Sequence, residues 1–407
     1  MRAYERLLRY VSFDTASDSS SETCPSTENQ LVFGRALVEE MNALGLQNVR
    51  MDENGYVYGT IPATISDYRG PVLGFIAHMD VVNDVPSADI RPRIVENYDG
   101  GDILLNAEQN IVLSSAEFPE LAAKKGCSVM VTDGTTLLGA DDKAGIAEIL
   151  TLAEELMADP SIPHGPVQVA FTPDEEIGRG ADRFDVKGFG ADFAYTLDGG
   201  AYGELEYENF NAASLRVYVT GKNIHPGSAK GKMKNACRIA MEFEMMLPAG
   251  KKPEYTEGHD GFLHLDEMKG DIESAFLRYI LRDHDLNKLE AQKAVCRAAA
   301  DFLNAKYGEG TVRLEIRDSY RNMAEQIAPH RHLVDNALEA IRRTGTEPCV
   351  RAIRGGTDGA TLSFMGLPCP NLGTGGGNYH GKMEYCVVDE MDLAVRCLHN
   401  LVELYSE

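Results

Sequence analysis

The sequence predicts two domains: an α/β domain built around a largely parallel sheet, interrupted by a smaller α+β domain of ferredoxin-like order. Three observations lead there. At 407 residues the chain exceeds one ordinary core and is long enough for two. From residue 71 onward, short Val/Ile/Phe-rich runs alternate with helical periodicity, as in PVLGFIAHMD, AGIAEILTLAEELMAD, GPVQVAFTPDEE and ADFAYTLDGG. Around Asn211 the pattern turns to βαββαβ, which is complete in itself.

Taken in order, MRAYERLLRYVSFDT carries charges among apolar residues at helical spacing and reads as an amphipathic helix rather than a signal peptide. The four runs above follow as strands and a long helix, while residues 84–130 carry no readable pattern. The insertion comprises strand NAASLRVYVTG, helix NACRIAMEFEMML, strands GFLHLDEMKGD and SAFLRYILRD, helix LNKLEAQKAVCRAAADFLNAKYG and strand TVRLEIRD. Helix HLVDNALEAIRRTG, the run GGTDGATLSFMG, the Gly-rich NLGTGGGNYHG and a closing helix VVDEMDLAVRCLHNLVELYSE resume the α/β style. The expected boundaries are 1–209 and 323–407 for a discontinuous first domain and 210–322 for the insertion.

Lys and Arg number 39 against 63 Asp and Glu, a formal charge of −24. Such a field repels phosphates and argues against nucleic acid or an anionic membrane as partner. No apolar run approaches the roughly 20 residues needed to span a bilayer. The eight cysteines include no CxxC pair, which suits reduced thiols in a cytoplasmic protein.

Several strand-like runs end in acid or histidine, and ligands of open α/β sheets gather beyond the carboxyl ends of strands. In GFIAHMDVVND, His78 and Asp80 share a face because strand side chains alternate. A metal-bound imidazole commonly donates its other N–H to a carboxylate, so His78 fits a ligand and Asp80 its support. Alone, H-x-D is more often a hydrogen-bonded strand end. In LLGADDKAGIAEIL one aspartate serves as a helix N-cap, which leaves the second of Asp141 and Asp142 to spare. Glu175 and Glu176 in FTPDEEIGRG repel one another unless a cation rewards them; a dication would take one as ligand and leave the other as base. Asp198 in TLDGG and His380 in GGGNYHG are separately a turn acid and a surface histidine. Together, His78, Asp141, Glu176, Asp198 and His380 are one donor too many for a single tetrahedral zinc. With Asp141 bridging, two ions are served, one taking His78 and Glu176 or a permutation of that.

The strings HMD, GADDKAGIAEIL, TPDEEIGRGAD, TLDGG, GELEYENFNAAS, NIHPGSAKGKMKNA, RGGTDGA and NLGTGGGNYHGKMEY resemble, in order and over nearly the whole chain, the peptidase T family of tripeptide aminopeptidases in the di-zinc metallopeptidase clan. The resemblance implies a di-zinc exopeptidase-like catalytic domain with an inserted lid domain. It implies two Zn2+ per subunit, His78 and Asp198 on one, Glu176 and His380 on the other, and Asp141 bridging. Asp80 and Glu175 take the catalytic positions, and Asp141–Asp142 a cis peptide bond. Arg354 matches a residue that grips a substrate carboxylate, and His225 one that helps bind a carbonyl oxygen; read plainly they are a surface Arg and a His before a turn. Short peptides are the implied partners, with a homodimer through the lid domain as a further candidate. A dipeptidase, carboxypeptidase or N-acyl deacetylase of the same clan is the alternative enzyme. A metal-stabilised binding protein would need a missing ligand or base, and none is missing.

Overall fold

The protein is described by a computed structural model covering residues 1–406. It divides into two compact units: Met1–Tyr207 with Met323–Arg351 and the chain from Thr357 onward, and Glu208–Asn322 with Ala352–Gly356.

In the first unit eight strands form one mixed sheet, in the order Gln47–Met51, Val57–Ile61, Val167–Thr172, Leu73–His78, Phe193–Gly199, Asn371–Gly373, Glu204–Asn209 and Cys349–Ile353. The middle four, from Val167–Thr172 to Asn371–Gly373, run parallel. Val57–Ile61 and Glu204–Asn209 flank them antiparallel. The parallel strands are almost wholly buried, as strands covered on both faces must be. Their carboxyl ends share one edge, and there the runs ending in acid or histidine converge.

Helix Ala140–Ala158 packs on strands Leu73–His78 and Phe193–Gly199 and against helices Ala3–Tyr10 and Val388–Leu404. It is buried on nearly every side, so apart from Glu148 the run AGIAEIL is apolar around its circumference rather than striped. Gly145 marks the closest approach, since a Cβ there would lie 2.2 Å from the carbonyl oxygen of Leu197.

Residues 84–130 contribute to a satellite. Arg93–Val95 and Val129–Val131 join Tyr385–Val387 and Gly376–Gly377 in a four-stranded sheet, and Ile103–Asn106 pairs with Ile111–Leu113. Tyr98, Leu105, Leu113, Leu121 and Tyr385 form its core. Strands of three or four residues are too short for a period to show in the sequence.

The second unit has an antiparallel sheet in the order Phe262–Gly270, Ser274–Asp283, Asn211–Thr220, Val312–Asp318. Helices Ala236–Met246 and Leu286–Tyr307 pack on it, and with the sequence order this is the ferredoxin-like arrangement. Leu215, Val217 and Val219 alternate into a core shared with Phe243, Leu277 and Leu303. Two boundaries differ from expectation: this unit begins at Glu208 rather than 210, and Ala352–Gly356, expected with the returning chain, belongs to it. The cause of the second is local, since Arg354 Nη1 donates to the carbonyls of Gly258 (2.6 Å) and Asp260 (3.0 Å). His284 Nε2 also donates to the Ile353 carbonyl at 3.1 Å. No helix among the described residues is long and apolar enough to cross a membrane.

Candidate metal centre and active site

His78 closes the central strand Leu73–His78 and is 2 % exposed. Its Nδ1 lies 3.1 Å from the Asp80 carbonyl and 3.5 Å from Asp80 Oδ1. Its Nε2 faces Asp141 Oδ1 at 2.9 Å and Asp198 Oδ1 at 3.5 Å. Asp141 turns its other oxygen to His380 Nε2 at 3.2 Å, and that nitrogen also meets Glu176 Oε2 at 3.0 Å. Asp141 thus stands between two imidazoles, each with a second carboxylate beside it. Ligand atoms of His78, Asp141 and Glu176, and of His78, Glu175 and Asp198, also fall within 4.8 Å of one another. His380 is the open side of the cluster, its side chain 49 % exposed.

Local structure explains how adjacent acids part. The Asp141–Asp142 peptide is cis. Asp142 caps the helix, Oδ1 accepting from the Gly145 N–H (3.3 Å), and its Oδ2 accepts from the His78 N–H (3.1 Å). Asp80 is fully buried and accepts the backbone N–H groups of Glu175 on Oδ1 (3.0 Å) and Glu176 on Oδ2 (3.1 Å). The turn before that pair is held by Asp174, whose carboxylate takes the Ser26 N–H, the Ser26 hydroxyl and Gln30 Nε2.

The electrostatics call for a cation. Burial, with Asp198 next, pushes the Glu175 carboxyl well above its ordinary value. Burial and Asp141 push Glu176 up to about 7. Hydrogen bonds to Asp141 and Glu176 push His380 up to about 11. Burial works against a charged His78, yet Asp141, Asp198 and Asp80 raise it. Without a cation, protons must do the neutralising. The donor set fits a divalent metal: with Nδ1–H given to Asp80, a neutral His78 turns its Nε2 lone pair toward two carboxylates, and Glu176 Oε1 is buried with no hydrogen-bond partner.

A sequence model described as "Peptidase family M20/M25/M40" matches residues 132–404. The chain belongs to peptidase family M20/M25/M40. It is 54 % identical to proteins named peptidase T from Alkaliphilus oremlandii and Geobacillus kaustophilus, covering 99 % of this chain in both and 99 % and 98 % of theirs. Solved structures share the fold. Aminopeptidase PepT of Bacillus cereus gives a TM-score of 0.79 at 24 % identity, covering 100 % of this chain and 98 % of that one. A tripeptidase of Staphylococcus aureus gives 0.80 at 23 %, with the same coverage. A dinuclear metal binding peptidase of the M20 family from Bacillus subtilis gives 0.65 at 15 %, covering 99 % and 98 %.

In this M20/M25/M40 peptidase, Arg354 and His225 lie in the second unit. Besides Gly258 and Asp260, the Arg354 guanidinium reaches the Thr256 hydroxyl at 3.1 Å and stacks 5.1 Å from the Phe210 ring centroid. His225 is the N-cap of the turn Pro226–Ser228, its Nδ1 accepting the Gly227 N–H at 3.2 Å. Residues that sequence reasoning passed over also surround the centre. Thr357 donates its hydroxyl to Asp198 Oδ2 (3.3 Å), Thr172 donates to buried Asp358 (2.8 Å), and Glu384 binds the loop before Asp141. RGGTDGA and GKMEY stand in the sequence, but nothing local marks a carboxylate whose partners lie far along the chain.

Proposed function

We propose that this peptidase removes the N-terminal residue of short peptides, tripeptides above others, with two zinc ions held by His78, Asp141, Glu176, Asp198 and His380. The observation that carries the reading is Asp141 with one carboxylate oxygen toward each histidine, in a chain 54 % identical over its length to proteins named peptidase T. In this reading Asp141 would serve both ions, His78 and Asp198 would hold one with it, and Glu176 and His380 the other. Mixed imidazole and carboxylate donors suit zinc. When bound, such a pair supplies Lewis acidity to the scissile carbonyl and acidifies water.

The chain's own residues do the rest. Glu175 accepts a proton from the attacking water and delivers it to the leaving amine. Asp80 holds His78 through Nδ1 and the Glu175–Glu176 pair through backbone N–H groups, so ligand and base keep a fixed spacing. Arg354 on the substrate's terminal carboxylate and His225 on a carbonyl oxygen are carried over from the resemblance. To grip a carboxylate, the Arg354 guanidinium must share or leave the carbonyls of Gly258 and Asp260.

The proposal extends to the cytoplasm, supported by eight free cysteines, and to a homodimer through the second unit, whose helices leave Met245 and Phe302 exposed. Sedimentation tests the dimer. For activity, a dipeptide, tripeptide, tetrapeptide and N-acetylated tripeptide are compared with and without chelator. Release of the first residue from the free tripeptide, abolished by chelator and restored by zinc, is expected. Cleavage of the acetylated peptide alone would assign a deacylase instead.

A further inference from the structure

We infer that Glu384 is a positioning residue for the metal centre, a buried carboxylate that ties the loop carrying Asp141 to the loop carrying His380. Glu384 is 2 % exposed and accepts four consecutive backbone N–H groups. Its Oε2 takes those of Leu138 (2.6 Å) and Gly139 (2.9 Å), and its Oε1 those of Ala140 (2.7 Å) and Asp141 (3.2 Å). Successive amides converge on one anion only where the backbone curls into a concave nest, and Gly139 permits the curl with a φ of 78°. Leu138, Gly139 and Ala140 are buried, so without Glu384 their N–H groups would stand unpaired away from water.

Two consequences follow for the site. Asp141 must aim one oxygen at each histidine, and its backbone N–H is the last of the four that Glu384 holds. Glu384 also lies four residues beyond His380, so clamping its carboxylate on Leu138–Asp141 limits where that imidazole can stand. His380 has a left-handed φ of 59° and a half-exposed side chain, so burial does not place it. Its turn is closed by Asn378 Nδ2 donating to the Met383 carbonyl at 3.1 Å, immediately before Glu384. Only an anion suits the position, because all four partners are donors; a glutamine would turn an NH2 group against two N–H groups.

The inference rests on the two-metal reading above, and its test separates the two. Metal-free wild type and E384Q are titrated with Co2+, followed by visible absorption and calorimetry, with circular dichroism as the check on folding. Wild type is expected to take up two ions. E384Q is expected to fold, to bind at least one ion tenfold or more weakly and to show an altered visible spectrum. E384D, with the charge kept and the reach shortened, is expected to fall between. Two ions bound by E384Q with wild-type affinity and spectrum would overturn the role of Glu384 and leave the metal reading standing. Wild type that takes up no Co2+ would overturn both. Should E384Q fail to fold, hydrogen exchange in metal-free wild type decides: amides 138–141 are expected to be protected before metal is added. Fast exchange there, slowed by metal alone, would overturn the inference.

Discussion

Glu175 and Glu176 are neighbours in the chain, and both backbone N–H groups donate to the same buried Asp80. Their side chains then diverge, Glu176 to His380 and Glu175 into the buried acid cluster. Glu175→Gln keeps the shape but cannot hold the water's proton, so kcat should fall roughly a hundred- to ten-thousandfold. Metal content, measured on the same sample, should not change; wild-type turnover would remove Glu175 from the mechanism. Asp80→Ala leaves the backbone carbonyl that His78 Nδ1 meets but removes the carboxylate that lies 3.5 Å from that nitrogen and accepts the Glu175 and Glu176 N–H groups, and should weaken metal binding about 10–100-fold in chelator competition. A third residue-scale prediction concerns Glu148, fully buried with neither carboxylate oxygen hydrogen-bonded. Burial raises its pKa well above the ordinary 4.5. The folded protein therefore keeps a proton that the unfolded chain releases, and the stability this group allows is fully present below the unfolded pKa and lost as pH rises toward the folded one. Glu148→Met should stabilise by about 1–3 kcal/mol, more at pH 8 than at pH 5. Urea midpoints at the two pH values check this, and equal shifts would refute it.

Helix Ala140–Ala158 is the element on which the site depends most directly, because its first turn carries Asp141 and its flank lies against strand Phe193–Gly199, which carries Asp198. Gly145 sets that distance: a methyl group there would meet the Leu197 carbonyl at 2.2 Å, and backbone cannot yield as a side chain does. Gly145→Ala should destabilise by about 1–3 kcal/mol and also weaken metal binding, since Asp141 and Asp198 would move apart. Denaturation midpoint and metal affinity are measured together; loss of stability with unchanged affinity would mean the helix adjusts without disturbing its first turn. At this scale legibility followed element length. The parallel strands and long helices showed their periods, whereas the satellite strands are too brief to show one.

Each unit of the molecule has a hydrophobic core of its own, and all the candidate ligands lie in the first. Metal should therefore stabilise one part of the protein and not the other. An ion present at a hundred times its dissociation constant adds about 2.7 kcal/mol to the state that binds it. Calorimetry with and without chelator should show one transition lowered by metal removal and one unmoved; two unmoved transitions would contradict a metal centre in the first unit.

The α/β class, the ferredoxin-like insertion and the candidates His78, Asp80, Asp141, Glu175, Glu176, Asp198 and His380 could be read from the chain alone. Strand ends, helix starts and glycine turns are local features, and chemistry collects at them. Local pattern alone left open which carboxylate faces which histidine, a pairing that only the family resemblance implied, and it could not show that Asp142 caps the helix or that Arg354 folds with the second unit. Those facts depend on groups brought together across hundreds of residues. Glu384 is the clearest case: its partners are backbone N–H groups, which almost every residue carries, and only the curl of residues 138–141 turns four of them toward one buried carboxylate.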